Sequence, residues 1–432
     1  MGERMTKPSQ PQEIVDAYVE SVVSGDRVVG TYERHAVDRY RHDQEHAYQR
    51  GWYFDTFAAT HAVSFFPDCM THSLGEWADE PFELSPWQTF LIWNLHGWRS
   101  YDEKYPVELD GRTVYVGARR FRKAFVSVAR KNGKTSLAAA EAAHLLYDDL
   151  PRERGGRGFC AATKQQQALL AWSETQRMVS QSDLDDVSHI LGENSATGVG
   201  CAITVTSGPQ TGSVFVPLGS DSTTQDGLNP SFVIKDEIHE WRRKHRKLNE
   251  KLSTGGASRR QPLELIITTA GDDDSEIWEE ESEFACRVVE AGARGHVVDD
   301  TVFAFICTID EDDDPLDEAC WPKANPNIDI SCKRKYLQAQ ANEAREKPSA
   351  LNSFIRYNTN RRVGSFEQAY PSYLWNRGNQ SFPEPKPGDL CFASFDIGRT
   401  NDWAAWAAVF PQQFTDDNGA KKWRNRSRSY VQ

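Results

Sequence analysis

Short apolar runs alternate with segments of helical spacing through most of this chain. Lys123–Val128, Gly158–Thr163, Cys201–Thr206, Ser213–Leu218, Pro230–Glu237, Leu263–Gly271 and Thr301–Thr308 read as strands. Ser136–Leu146, Lys164–Ser180 and Ser275–Gly292 read as helices between them. Strands alternating with helices predict an α/β fold with a mainly parallel sheet. Ahead of this core, residues 1 to about 50 are charged and helical in pattern, including an Arg/His/Tyr-rich segment, Tyr32–Arg50. An aromatic-rich helix leads from Gly51 to Phe65-Phe66-Pro67, and an amphipathic helix covers Thr89–Trp98. Ser85 is a natural N-cap for that helix, with Pro86 at its first position. Beyond Asp310 the pattern changes to an acidic turn, then two helices in Cys332–Asn358 broken near Pro348. A Pro-rich connector, 382–388, precedes the start of a new strand-rich domain at Leu390.

Composition narrows the class. At 432 residues there is room for two domains, and a net charge of −13 leaves no global basic field for nucleic acid. The basic clusters Arg119–Lys123, Arg242–Lys247 and Arg424–Arg428 read as solvated faces. The 8 cysteines have no metal-type spacing and read as reduced thiols. No signal peptide or membrane-length apolar run is visible, so the expected location is intracellular, without a membrane partner.

The chemistry concentrates at the ends of predicted strands. The strand Lys123–Val128 runs into Ala129-Arg-Lys-Asn-Gly-Lys-Thr135 and then at once into an alanine-rich helix. That strand–loop–helix context suits a phosphate loop: backbone amides at the helix start face phosphates, Lys134 reaches the β and γ groups, and Thr135 ligates Mg²⁺. The usual opening glycine is replaced by Val128. A second strand closes on Asp236-Glu237, where Asp236 suits the metal and Glu237 suits polarising an attacking water. Lys235 interrupts this strand, as a strand open on one face tolerates. Thr268-Thr-Ala-Gly271 ends a third strand, where motor ATPases carry a small polar element that couples hydrolysis to movement. Gln88 can hydrogen-bond both edges of adenine, or simply belong to a capped helix start.

With these motifs in this order, the chain resembles the large terminase subunit of tailed bacteriophages, a DNA-packaging motor. The resemblance covers nearly everything from about residue 50 onward. It rests on Leu84-Ser-Pro-Trp-Gln88, on Ala129–Thr135 (similar to the family's deviant phosphate loop), on Asp226-Gly-Leu-Asn-Pro230 before Asp236-Glu-Ile-His239, on Thr268–Gly271, and on Trp321-Pro-Lys-Ala-Asn-Pro-Asn327. It implies a RecA-like phosphate-loop NTPase followed by the start of an RNase H-like nuclease. The implied division is 1–50 N-terminal segment, 51–310 motor, 311–380 helical linker and 381–432 nuclease. It further implies ATP and Mg²⁺ bound by Ala129, Arg130, Lys131, Asn132, Gly133, Lys134, Thr135 and Ser136, with Gln88 on adenine and Arg130 beside Lys134 on the phosphates. Asp236 joins Thr135 on the metal, Glu237 is the catalytic carboxylate, and Thr269 lies in the coupling element. Asp396, in Phe395-Asp-Ile-Gly398, would be the first nuclease ligand for Mg²⁺ or Mn²⁺; the other acidic ligands of that family lie well downstream, so the expectation for this chain alone is an unfinished nuclease. Implied partners are double-stranded DNA, the small terminase subunit, and the portal of the procapsid, on which a homo-oligomeric ring assembles in the host cytoplasm. An arginine from a neighbouring subunit is expected to assist hydrolysis, with Arg119, Arg120 and Arg122 as candidates. Two rival readings are a DExH helicase, since Asp236–His239 spells that box, and an inactive prophage remnant.

Overall fold

The computed structural model describes residues 11–109, 111–192, 200–219, 228–363, 386, 388–396, 405–415 and 421–431. Asp226 and Gly227, nearly all of the connector 382–388, and 397–404 of the nuclease motif lie outside the described residues. The chain divides into two compact units, Met1–Glu367 and Gln368–Gln432.

In chain order the first unit contains α1 (Pro11–Ser24), α2 (Thr31–His46), β1 (Trp52–Phe54), α3 (Thr56–Cys69), α4 (Pro86–Gly97), β2 (Trp98–Leu109), β3 (Arg112–Arg119) and β4 (Lys123–Ser127). Then come α5 (Lys134–Tyr147), β5 (Arg157–Ala162), α6 (Gln165–Ser180), β6 (Ser188–Leu191), β7 (Ala202–Val205), β8 (Val214–Gly219) and β9 (Phe232–Asp236). The unit closes with α7 (Arg246–Thr254), β10 (Leu263–Thr268), α8 (Glu276–Ala293), β11 (Val302–Ile306), α9 (Arg334–Glu346) and α10 (Pro348–Asn358). The second unit holds β12 (Phe392–Asp396), β13 (Ala405–Thr415) and β14 (Lys421–Val431), paired as an antiparallel meander.

The main sheet has eight strands in the order β11-β4-β10-β9-β5-β8-β7-β6. Its pairs are parallel from β11 through β8, and the last two pairs, β8–β7 and β7–β6, are antiparallel, so β7 is the reversed strand. The central strands are buried along nearly their whole length, which is why they read as unbroken apolar runs. Because β10 lies between β4 and β9, and Thr268 is level with Ser127 while Ile267 is level with Asp236, three strand ends meet on one edge. At about 4.8 Å between strands, the loop after β4 and the acids after β9 are roughly 10 Å apart.

Two expectations are corrected here, and one element was not expected. Lys235 is not on an open face: its side chain is fully buried, and Nζ bonds Glu264 at 2.6 Å, Asn249 at 2.6 Å and Ser253 at 2.9 Å. The acid on the neighbouring strand removes the cost that made an open face necessary. The Thr89–Trp98 helix is buried on every side rather than amphipathic. Its polar positions are absorbed internally: Asn94 donates to Phe90 O at 2.8 Å, and His96 meets Glu141 of α5 at 2.8 Å. The hairpin β2–β3 also went unforeseen, because its polar Asp102-Glu-Lys104 stretch carries no apolar run.

Residues 309–354 form a small second core around Trp321, Leu337 and Phe354, and Ala129 of the phosphate loop is part of it. Pro348 opens α10 rather than merely interrupting a helix.

Candidate active site

The loop after β4 is shaped by two left-handed residues, Lys131 (φ 69°) and Gly133 (φ 78°). Gly133 caps α5, so the helix begins at Lys134, two residues earlier than its alanine-rich body suggests. A Cβ at Gly133 would sit 3.4 Å from Gln88 Nε2, which places the start of α4 against the loop. Lys134 is buried, and its Nζ donates to Val128 O at 2.7 Å and Ala129 O at 3.0 Å. Burial pushes the Lys134 amine down to about 8 against the opposing pull of Glu237 and Asp236. Thr135 is exposed and Ser136 half-buried at the mouth of α5.

Asp236 closes β9, and its Oδ1 is buried with no hydrogen-bond partner. Burial and the adjacent Glu237 charge raise the Asp236 carboxyl. Glu237 adopts a left-handed conformation (φ 49°, ψ 51°) that turns the chain sharply at the strand end. Burial works against ionisation of Glu237, but the His239 bond and the Lys134 charge outweigh it and hold the carboxyl below its ordinary range. Thr269 is fully buried, with Oγ1 3.2 Å from His239 Nδ1.

The structure therefore brings Lys134, Asp236, Glu237 and Thr269 together on one sheet edge, with Gln88 beside the loop. Gln88 Oε1 accepts from Ser85 N and Oγ, both at 2.9 Å, so it closes a capping box and leaves only Nε2 directed at the loop. Both edges of adenine can be read by Gln88 only if that cap opens. Arg130 is exposed and stacks on Tyr357, with its guanidinium carbon 3.5 Å from the ring centroid. Asp396 ends β12 in the other unit.

Arg119 and Arg120 do not serve as free arginines. Both are buried, Arg119 with Asp149 at 2.8 Å and Arg120 with Asp43 at 2.8 Å and Asp300 at 2.5 Å. Arg122 is exposed, but it precedes β4, at the opposite edge of the sheet from the loop. The buried ion pairs count against Arg119 and Arg120, whereas Arg122 stays exposed.

Sequence reasoning also missed residues that complete the edge. His239 sits between Glu237 Oε2 at 3.0 Å and Thr268 Oγ1 at 3.1 Å. Asn360, left-handed at φ 52°, accepts from Ala270 N at 2.7 Å and donates to Cys307 O at 2.8 Å and Ser127 Oγ at 3.0 Å. One side chain thus ties three strand ends. The Asp236–His239 motif contained the signal for His239; nothing local marked Asn360.

A phosphate-type loop and paired acids at the carboxyl edge of a mainly parallel sheet define the phosphate-loop class of nucleotide-binding α/β proteins. Two family models match the chain: terminase large subunit, ATPase domain, over residues 86–287, and terminase large subunit, endonuclease domain, over residues 296–413. The chain belongs to the terminase large-subunit family. It is 24% identical over 295 residues to the terminase large subunit of Enterobacteria phage HK97, covering 65% of this chain and 52% of that protein. It is 30% identical over 191 residues to Protein YmfN of Escherichia coli (strain K12), covering 44% of this chain and 40% of that one. The chain thus spans about half the length of the curated relatives it matches. The crystal structure of the HK97 bacteriophage large terminase has the same fold, with a TM-score of 0.54 at 20% identity over 85% of this chain and 67% of that one.

Proposed function

We propose that this chain is an ATP-hydrolysing subunit of a phage DNA-packaging motor, moving double-stranded DNA into a procapsid. The observation that carries this reading is the meeting of Lys134, Asp236 and Glu237 on one sheet edge, after β4 and β9 on either side of β10, with a buried Asp236 oxygen that lacks a partner. Such an oxygen suits a cation, since leaving a carboxylate oxygen buried and unpaired costs about 1–3 kcal/mol or more.

In this reading ATP lies with its phosphates against the amides of Ala129–Ser136, Lys134 and Arg130 neutralise them, and Gln88 Nε2 faces the base. Thr135 and Asp236 hold Mg²⁺, which when bound supplies positive charge to the phosphate oxygens. Glu237 takes the proton of the attacking water, and His239 holds that carboxylate in place. Thr269 lies one bond from His239, so the γ-phosphate state can be felt along β10. The endonuclease-domain match over 296–413 supports a second, DNA-cleaving activity, for which Asp396 would be the first ligand for Mg²⁺ or Mn²⁺. Double-stranded DNA, a small subunit, the portal and a ring of like chains in the host cytoplasm are the corresponding partners. Among the described residues no helix is long and apolar enough to cross a membrane.

The test is Glu237→Gln, which should keep nucleotide affinity and lose turnover; unchanged hydrolysis would sink the assignment. For the second activity, the chain and Asp396→Ala are compared on supercoiled plasmid with Mn²⁺: cutting that is lost in the variant supports Asp396 as a metal ligand, and no cutting by either matches the unfinished nuclease expected of this chain alone. Equal cutting by both would remove Asp396 from the nuclease.

A further inference from the structure

Trp321–Asn327 has no assigned role, yet it lies directly on the phosphate loop. Asn132, Asn325 and Asn327 are all buried, and their side chains interlock. Asn132 Nδ2 donates to Asn325 Oδ1 at 2.9 Å, and Asn132 Oδ1 accepts from Asn327 N at 3.0 Å. Asn327 Nδ2 donates to Asn132 O at 3.2 Å, and Asn327 Oδ1 accepts from Trp87 Nε1 at 2.9 Å. Two more loop groups are held from the same direction: Ala129 N donates to Ala324 O at 3.3 Å, and Lys131 O accepts from Ser331 Oγ at 2.8 Å.

We propose that Trp321–Asn327 is a clasp that sets the phosphate loop for nucleotide, and that Asn327 is its positioning residue. The argument is geometric. A loop opening on Val128 rather than glycine has fewer ways to wrap, and its shape here is imposed by amide side chains from outside it. Asn327 joins the two halves of the site. Its oxygen holds Trp87, next to Gln88 at the base side, while its nitrogen holds the Asn132 carbonyl at the phosphate side. A Cβ on Gly133 would lie 3.8 Å from Asn327 Nδ2, which marks how near the clasp comes to the loop's tightest turn. These residues belong to the stretch matched by the endonuclease-domain model, yet they are part of the first compact unit. Nucleotide binding thus depends on a segment outside the stretch matched by the ATPase-domain model, 86–287.

The proposal rests on the nucleotide reading above, and the experiment separates the two. Full-length wild type, Lys134→Ala, Asn327→Asp and Trp87→Phe are titrated with a fluorescent ATP analogue, with melting temperature, KM and kcat measured beside it. Asn327→Asp keeps the acceptor for Trp87 but loses the donor to the loop, so about tenfold weaker binding is expected, with KM rising by the same factor and kcat little changed. Trp87→Phe keeps the ring and loses one bond, for about a threefold effect. Lower melting temperatures with wild-type affinity and KM in both variants would overturn the clasp and leave a packing element. Should Asn327→Asp fail to fold, Trp87→Phe decides alone: wild-type affinity there refutes the clasp. If Lys134→Ala binds the analogue like wild type, the nucleotide reading itself falls.

Discussion

His239 Nδ1 stands 3.0 Å from Glu237 Oε2, on the short turn that follows β9. The same nitrogen is within 3.2 Å of the hydroxyls of Thr268 and Thr269. The imidazole therefore joins the carboxylate that would activate water to the strand end that would sense its product. Its contact holds Glu237 ionised and in a fixed rotamer. His239→Ala should lower kcat by about tenfold to a hundredfold while nucleotide affinity stays near wild type, because misplacing a base by an ångström costs about that much. Single-turnover hydrolysis beside an equilibrium titration separates the two quantities. Equal losses in both would make His239 a packing residue.

The buried Lys235–Glu264 pair crosses from β9 to β10, with 2.6 Å between Nζ and Oε1. Removing one partner strands a charge where water cannot reach it. Lys235→Met and Glu264→Gln should each destabilise by about 3–5 kcal/mol, and Lys235→Met/Glu264→Leu should recover most of that loss. Lys123, 3.8 Å from Glu264, keeps Glu281 at 2.9 Å in the double variant. Denaturant unfolding of wild type, Lys235→Met, Glu264→Leu and the double variant, read as a double-mutant cycle with Glu264→Gln measured beside it, checks this.

Much of this architecture was legible because parallel strands are buried on both faces and announce themselves as apolar runs. β4, β5, β9, β10 and β11 fall within a few residues of their sequence-based bounds for that reason. Asp236, Glu237 and Thr269 could be read because they stand at the ends of such runs, and Lys134 because its loop joins one to an alanine-rich helix. What escaped was set by distant partners. Lys235 looked like an open face because Glu264 is far along the chain, whereas the capped helix start at Ser85–Gln88, one of the two readings offered for Gln88, is what the structure shows. Arg119 and Arg120 looked available because Asp149, Asp43 and Asp300 come from three separate segments.

α4 and α5 are tied by a buried triad, His96, Glu141 and His144. Burial pushes His96 down to about 4, whereas the neighbouring imidazoles overcome burial to hold Glu141 at about 2. A histidine with a lowered folded pKa binds fewer protons folded than unfolded. Its contribution is present above about 6.5 and is lost as pH falls toward 4. Glu141 adds a loss from about 4.5 down toward 2. His144 is raised by Glu141 against the effect of burial, so its contribution runs the other way, present in acid and lost as pH rises. His96→Gln should therefore be less stable than wild type near neutrality, with the gap narrowing by about pH 5. Thermal melts of both proteins across that range test it; a gap that stays constant would show that His96 does not titrate in this window.

Arg120 binds Asp43 of α2 and Asp300 just before β11, and its guanidinium lies 4.9 Å from the Phe121 ring centroid. This one side chain fastens the N-terminal helices to the edge of the sheet. Arg120→Ala leaves the buried Asp43 and the half-buried Asp300 with Arg39 and Arg50 as their remaining partners, at 3.7 Å from Asp43 for the first, and at 2.5 Å from Asp43 and 2.9 Å from Asp300 for the second. A destabilisation of about 3 kcal/mol is expected, at the lower end for breaking a buried network because those arginines remain. An arginine acting on a neighbouring subunit's nucleotide would behave differently, losing turnover without losing stability. Melting temperature and kcat per folded molecule, measured on the same preparation, distinguish the two roles. The buried geometry predicts a lower melting temperature and unchanged kcat, and a stable but inactive variant would return Arg120 to the list of candidates for the trans-acting arginine.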